Sequence, residues 1–211
     1  MLLDRNPFKG LVLPKEASPN RPVVSQDQYD AMLTVAGQID WRFEIALVIA
    51  HETGHRIGAI RRLQWSDVRL KEEMVRWQKS NDKIGMEHET PLMPNAILAL
   101  QEARKRNPGI GSAWVFPAPK NPLEACSRHL MRDWWKKAEV LAGLTHRKGM
   151  GWHALRRKFA TELKDTPLND LCALGGWRSP QTILMCYQQP DLETQRRALE
   201  SRRAISNVGS S

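Results

Sequence analysis

The chain has 211 residues, 41% of them hydrophobic, which is enough for one sizeable domain with its own core. Thirty-two lysines and arginines against 23 acids give a formal charge of +9, and a surface this basic favours polyanions, nucleic acid first among them. No apolar run nears the roughly 18 residues of a membrane helix, the N-terminus lacks a signal-peptide pattern, and Cys126, Cys172 and Cys186 are too few and too scattered for a disulfide framework or a CxxC zinc site. A soluble, cytoplasmic protein is the expectation.

Residues 1–24 carry Pro7, Pro14, Pro19 and Pro22 among mixed charges and read as a linker or N-terminal arm. Ser25 with Gln28 three residues on forms a capping box that opens a helix over 25–38. A second helix is predicted over 41–52, with Gly54 placed to end it. Ile57, Ile60 and Leu63 have helical spacing, which predicts a third helix over 57–64. The pattern then changes. Residues 68–70 and 74–78 read as short strands, 79–89 as a hairpin loop containing Gly85, and 90–93 as the return strand.

The remainder is predicted to be helical. Pro94 opens a helix that stops before Asn107-Pro108-Gly109. After a loop with Pro117, Pro119 and Pro122, Ser127 caps a helix to about residue 142. Further helices are predicted over 152–164, from Pro167 to near Gly175, over 182–187 behind the Ser179-Pro180 start, and from Asp191 onward. Residues 25–204 thus form one folded domain, mainly α with a small antiparallel β-sheet (α+β), and 205–211 a flexible tail.

His51-Glu52-Thr53-Gly54-His55 matches H-E-x-x-H, the pattern that sets two imidazoles on one helix face around zinc. The longer form of that motif needs a third histidine where this chain has Arg61, a permanent cation that cannot ligate a metal. Gly54 also falls mid-helix in that reading, at about 1 kcal/mol relative to alanine. His51 and His55 are therefore expected to be loop or surface histidines, and no metal or other cofactor is expected.

Three other strings resemble the signature boxes of the tyrosine recombinases, the phage integrase type. Glu52-Thr53-Gly54-His55-Arg56-Ile57, continuing into Leu63-Gln64-Trp65-Ser66-Asp67-Val68, resembles the first box, in which arginine follows a threonine-glycine pair. His153-Ala154-Leu155-Arg156-Arg157 looks like the H-x-L-R element. Leu174-Gly175-Gly176-Trp177 followed by Tyr187 resembles the third. The boxes occur in the family's order and span about residues 25–204.

The resemblance implies site-specific DNA recombination or integration by metal-independent strand breaking and rejoining. Arg56 and Arg156 would clamp nonbridging phosphate oxygens, because a guanidinium presents a planar fork of donors. His153, three residues before Arg156 on a helix, would share its face and move a proton. Trp177 would pack and donate its indole N–H. Tyr187 would attack phosphorus and form a 3′-phosphotyrosyl intermediate. Lys83, in the hairpin loop, would protonate the leaving 5′-oxygen, with Lys79 as the alternative. Arg61, Arg62, Arg128, Arg132, Lys136, Lys137, Arg147 and Lys148 are candidate DNA-binding contacts. The partners implied are double-stranded DNA and further copies of the chain, as a tetramer formed by exchanging the C-terminal helix over 191–204, with no membrane.

The chain departs from the family pattern in two places. Ala59 stands where an acid usually follows the first arginine by three residues. Trp177 and Tyr187 are 187 − 177 = 10 apart, one more than expected, so Gly176 competes with Trp177 for the third-box position. Family members usually carry a further N-terminal DNA-binding domain, for which this chain has no room. A type IB topoisomerase-like nicking-closing enzyme, an inactive DNA-binding relic and an H-E-x-x-H zinc hydrolase are the other readings.

Overall fold

The computed structural model of the protein describes residues 21–81, 87–188, 194–197 and 199–200. Between residues 21 and 188 the described residues form eight α-helices and a three-stranded antiparallel sheet, and residues 194–197 and 199–200 are helical. Lys83 lies outside them, as does most of the helix expected from Asp191.

The centre is α2 (Trp41–Thr53), which buries Phe43, Ile45, Ala46, Leu47, Ile49 and Ala50. Its apolar residues run nearly all the way round, the pattern of a helix enclosed by others. It packs against α1 (Gln26–Ala36), α3 (Ile57–Ile60), α4 (Pro94–Arg106), α5 (Arg128–Leu141) and α6 (Trp152–Glu162). The predicted capping box closes at both ends in α1: Gln28 N donates to Ser25 Oγ, and Ser25 N to the Gln28 side chain. The third helix is shorter than expected, ending at Ile60, because residues 61–64 turn away to join a 3₁₀ turn at Trp65–Asp67.

Strands β1 (Val68–Arg69), β2 (Met74–Trp77) and β3 (His88–Pro91) pair in chain order. The return strand starts two residues before its predicted position. Its register sets His88 opposite Trp77 and Thr90 opposite Val75, which lets the Trp77 indole donate to Thr90 Oγ1 at 2.9 Å in the buried layer.

The core divides in two. The larger part surrounds α2. A satellite of Ala160, Leu171, Trp177 and Ile183 joins the end of α6 to α7 (Leu168–Gly175) and α8 (Pro180–Cys186), with Phe159 and Tyr187 packed at its edge. Among the described residues, no helix is long and apolar enough to cross a membrane.

Candidate active site

Three chain ends meet at one guanidinium. The first is the end of α2, where Gly54 adopts φ +63° and turns the chain out of the helix. An added Cβ there would fall 2.4 Å from the Phe159 ring, so glycine is required by both backbone and space. The turn sends His55 inward and places Arg56 at the cap of α3, half-buried.

The second is the end of α7. Gly176 adopts φ +62°. The Trp177 indole folds back over Gly175, where a Cβ would lie 1.7 Å from the ring. The two glycines therefore do different work: one makes the turn and the other makes room.

The third is α6, which delivers Arg156 between those ends. Its Nη1 donates to Gly54 O at 2.7 Å and also to Gly175 O. Its Cζ lies 3.8 Å from the centroid of the Trp177 ring and 5.4 Å from that of Tyr187. The side chain is 1% exposed. Arg156 and His153 share a helix face as the spacing predicts, but at different depths: His153 is on the surface and Arg156 lies beneath it. Arg157, next in the chain, faces elsewhere, donating to Pro22 O and Gly149 O at 2.7 Å each.

His153 keeps an exposed edge yet is closely surrounded. Burial, then the charges of Arg156, Arg56, Arg157 and Arg128, push its pKa down to about 4. The imidazole is therefore neutral at pH 7 and able to accept a proton.

Tyr187 caps α8, half-buried, with its ring edge-on to Trp177 at 5.3 Å. Trp177 itself is 1% exposed, and its Nε1 has no hydrogen-bond partner among the described residues. The indole face meets the Arg156 guanidinium, and the Tyr187 ring meets the indole edge-on.

The two histidines of the H-E-x-x-H string are not surface residues, and they do not share a helix. The helix ends between them at Thr53. His51 stacks on Tyr29 at 3.9 Å. His55, 4% exposed, stacks on Trp77 at 3.6 Å and meets His88 Nε2 at 2.8 Å. Nothing in the local pattern singles out His88; only the fold brings it to the site.

Of the candidate DNA contacts, Arg128, Arg132 and Lys136 recur every four residues along α5. They line a groove of about 660 Å³ together with His153, Ile57, Trp152 and Met150. Arg147 and Lys148 are exposed on the 144–151 loop, and Lys137 is exposed on α5. Arg62 is half-buried. Arg61 is engaged within the fold, its Nη1 donating to Cys126 O at 2.8 Å. Lys79, the alternative acid, is exposed just after β2.

Comparison with known proteins agrees with this fold. The XerA recombinase crystal structure matches with a TM-score of 0.71 at 18% identity, covering 91% of this chain and 67% of that one. The Tn1549 transposon integrase in complex with transposon right end DNA matches with a TM-score of 0.71 at 18% identity, over 94% of this chain and 72% of that one. A lambda integrase dimer bound to a core site matches with a TM-score of 0.63 at 19% identity, over 80% of this chain and 48% of that one. No curated protein matches the sequence. The phage integrase family matches residues 22–193. The chain therefore belongs to the phage integrase family, the tyrosine recombinases.

Proposed function

We propose that this chain breaks and rejoins DNA strands at specific sites, with Tyr187 as the nucleophile. The observation that carries the reading is the convergence on Arg156. One guanidinium touches the turn before Arg56, the turn before Trp177 and the ring layer of Tyr187, and it lies on the same helix face as His153.

In this reading a DNA phosphate sits over Arg56 and His153. Arg56 binds its nonbridging oxygens, and Arg156 supplies positive charge from just below, in a region of low dielectric where the charge acts strongly. The Tyr187 hydroxyl oxygen attacks phosphorus as neutral His153 takes the phenolic proton. The bond from phosphorus to the 5′-oxygen breaks, and Lys83 gives that oxygen a proton; Lys79 is the alternative donor. The product is a 3′-phosphotyrosine and a free 5′-hydroxyl. Rejoining runs the steps backward, and the phosphodiester energy is kept in the covalent link. The route draws on no metal.

The basic face along α5 and the 144–151 loop would hold the DNA backbone, through Arg128, Arg132, Lys136, Lys137, Arg147 and Lys148, with Arg62 beside them. Residues 25–204 act as the catalytic unit, with 1–24 as the arm leading to it. The assembly expected on two duplexes is a tetramer joined by exchange of residues 191–204. The working compartment is the cytoplasm.

A nicked suicide duplex, which loses its 5′-end after cleavage, tests the reading. Wild-type protein accumulates a covalent DNA complex, undiminished by EDTA, and Tyr187→Phe accumulates none. A covalent complex formed by Tyr187→Phe would overturn the assignment.

A further inference from the structure

His55 and His88 lie at the centre of the site, and the reaction above gives them no role. Their Nε2 atoms are 2.8 Å apart, joining the Gly54-His55-Arg56 turn to strand β3. The neighbours settle which one donates. Thr53 O is 2.9 Å from His55 Nδ1 and can only accept, so Nδ1 carries the proton. Burial first, then the charges of Arg156, His88 and Arg56, keep the His55 pKa well below the usual histidine range. His55 is neutral, its Nε2 is a lone pair, and His88 Nε2–H donates to it.

The pair is tightly confined. Trp77 stacks flat on His55, with rings 3.6 Å apart and 9° from parallel. A Cβ on Gly176 would come within 2.6 Å of the His88 ring. His55, Arg56, Trp77, His88, Arg156 and Gly176 line one small cleft. Arg156 bonds the carbonyl of Gly54, one residue before His55, and that of Gly175, one residue before Gly176. The histidine contact and the guanidinium thus brace the same junction from two sides.

The sheet supplies the other half of the argument. Its strands have only two, four and four residues, too little to hold a hairpin in place without docking. Elsewhere in β3, Arg69 bonds Glu89 and Trp77 bonds Thr90 within the sheet, while β3 packs on α7. His88 is where β3 reaches the arginine turn. In the sequence, the β2–β3 connection carrying Lys79 and Lys83 ends at Glu87, directly before it.

We propose that His55 and His88 are positioning residues, and that the hydrogen bond between them holds strand β3 and its partner β2 against the Gly54-His55-Arg56 turn, so that a lysine following β2 can act on the phosphate bound at Arg56. The proposal rests on the reading that a lysine of the β2–β3 connection protonates the leaving oxygen.

The test compares suicide substrates bearing a 5′-bridging oxygen or a 5′-bridging sulfur, which departs as a thiolate and needs no proton. Removing the His88 donor displaces the acid, so His88→Ala should cleave the oxygen substrate about 10–100-fold more slowly and the sulfur substrate at about the wild-type rate. His88→Gln keeps a donor to His55 and should cleave both nearly as wild type does. Should His88→Ala fail to fold, His88→Leu, which keeps bulk without a donor, takes its place. Lys83→Ala and Lys79→Ala run alongside. If sulfur restores one of them but not the His88 variant, the histidines are only structural and the proposal fails. If sulfur restores neither lysine variant, the lysine acid itself is wrong and the proposal falls with it.

Discussion

Arg156→Ala should cost both activity and stability, and the stability loss follows from the geometry. The wild-type guanidinium is 1% exposed and donates to two carbonyls, Gly54 O and Gly175 O. Hydrogen bonds from charged donors contribute about 1.5–3 kcal/mol each, and a desolvated guanidinium over an indole, here at 3.8 Å, adds about 2 kcal/mol. Against these stands the cost of burying the charge, several kcal/mol, which the variant no longer bears. The variant also leaves two buried carbonyls without their donor and a void under Trp177. Two buried carbonyls left without a donor cost about 1–3 kcal/mol each, so about 2–6 kcal/mol together, and in a domain of this size that lowers Tm by on the order of 10 °C. Arg56→Ala is the contrast. Arg56 is half-buried where Arg156 is almost fully enclosed, so its loss should cost clearly less stability than that of Arg156. Both variants should fail to form the covalent DNA complex. Thermal unfolding followed by tryptophan fluorescence, beside the suicide-substrate assay, separates the two effects. An Arg156→Ala protein melting within about 2 °C of wild type would show that the guanidinium does not brace the junction.

Two further outcomes are expected. His153, with its pKa lowered to about 4 by burial and the surrounding arginines, should titrate near that value in free protein by NMR and rise when a DNA phosphate offsets the arginine charge; a free-protein midpoint near 6.5 would show that burial and the surrounding arginines do not depress it. Because the folded pKa is the lower one, the unfolded chain binds the proton first, so this group's effect is falling stability from pH 6.5 down toward 4 and none above that window. On the basic face, Arg132→Ala should reduce the slope of log K for DNA against log salt by about one, whereas Arg61→Ala, which loses a bond to Cys126 O, should lower Tm and leave the slope unchanged; the opposite pattern would move the DNA face.

Much of this was legible because local signals coincide with function. Ser25 with Gln28, Gly54 and Pro94 mark helix ends by backbone chemistry alone, and the structure ends helices at those places. Gly54 shows why the boxes can be read at all. It terminates α2, clears the Phe159 ring and turns its carbonyl toward Arg156, so one residue type answers three demands. His88 was not legible. Its importance comes from strand register and from a turn 33 residues away, and no local pattern encodes either. The buried state of Arg156 was hidden for the same reason. Helical spacing gives the face a side chain points to, and depth depends on what the rest of the chain lays over it. Trp177 was read as a hydrogen-bonding and packing residue because an indole N–H can only donate; the packing part is visible in the ring face laid on Arg156.

The Arg156 guanidinium, held under the surface, donates to carbonyls at the C-terminal ends of two helices, α2 at Gly54 and α7 at Gly175. Peptide dipoles align along a helix, so its last carbonyls carry partial negative charge equivalent to about half an electron at each end. Two such ends facing one guanidinium roughly balance it, yet neither is a full anion that would cancel its attraction for a phosphate. A buried aspartate would hold the arginine as firmly and quench its field. The two helices belong to different parts of the core, α2 to the large one and α7 to the satellite that supports Tyr187. In the proposed mechanism the guanidinium that supplies charge to the phosphate is thus also a joint between the Gly54-His55-Arg56 turn and the helices that carry Tyr187, so a shift of α7 against α2 would be expected to alter its bonds and its position together.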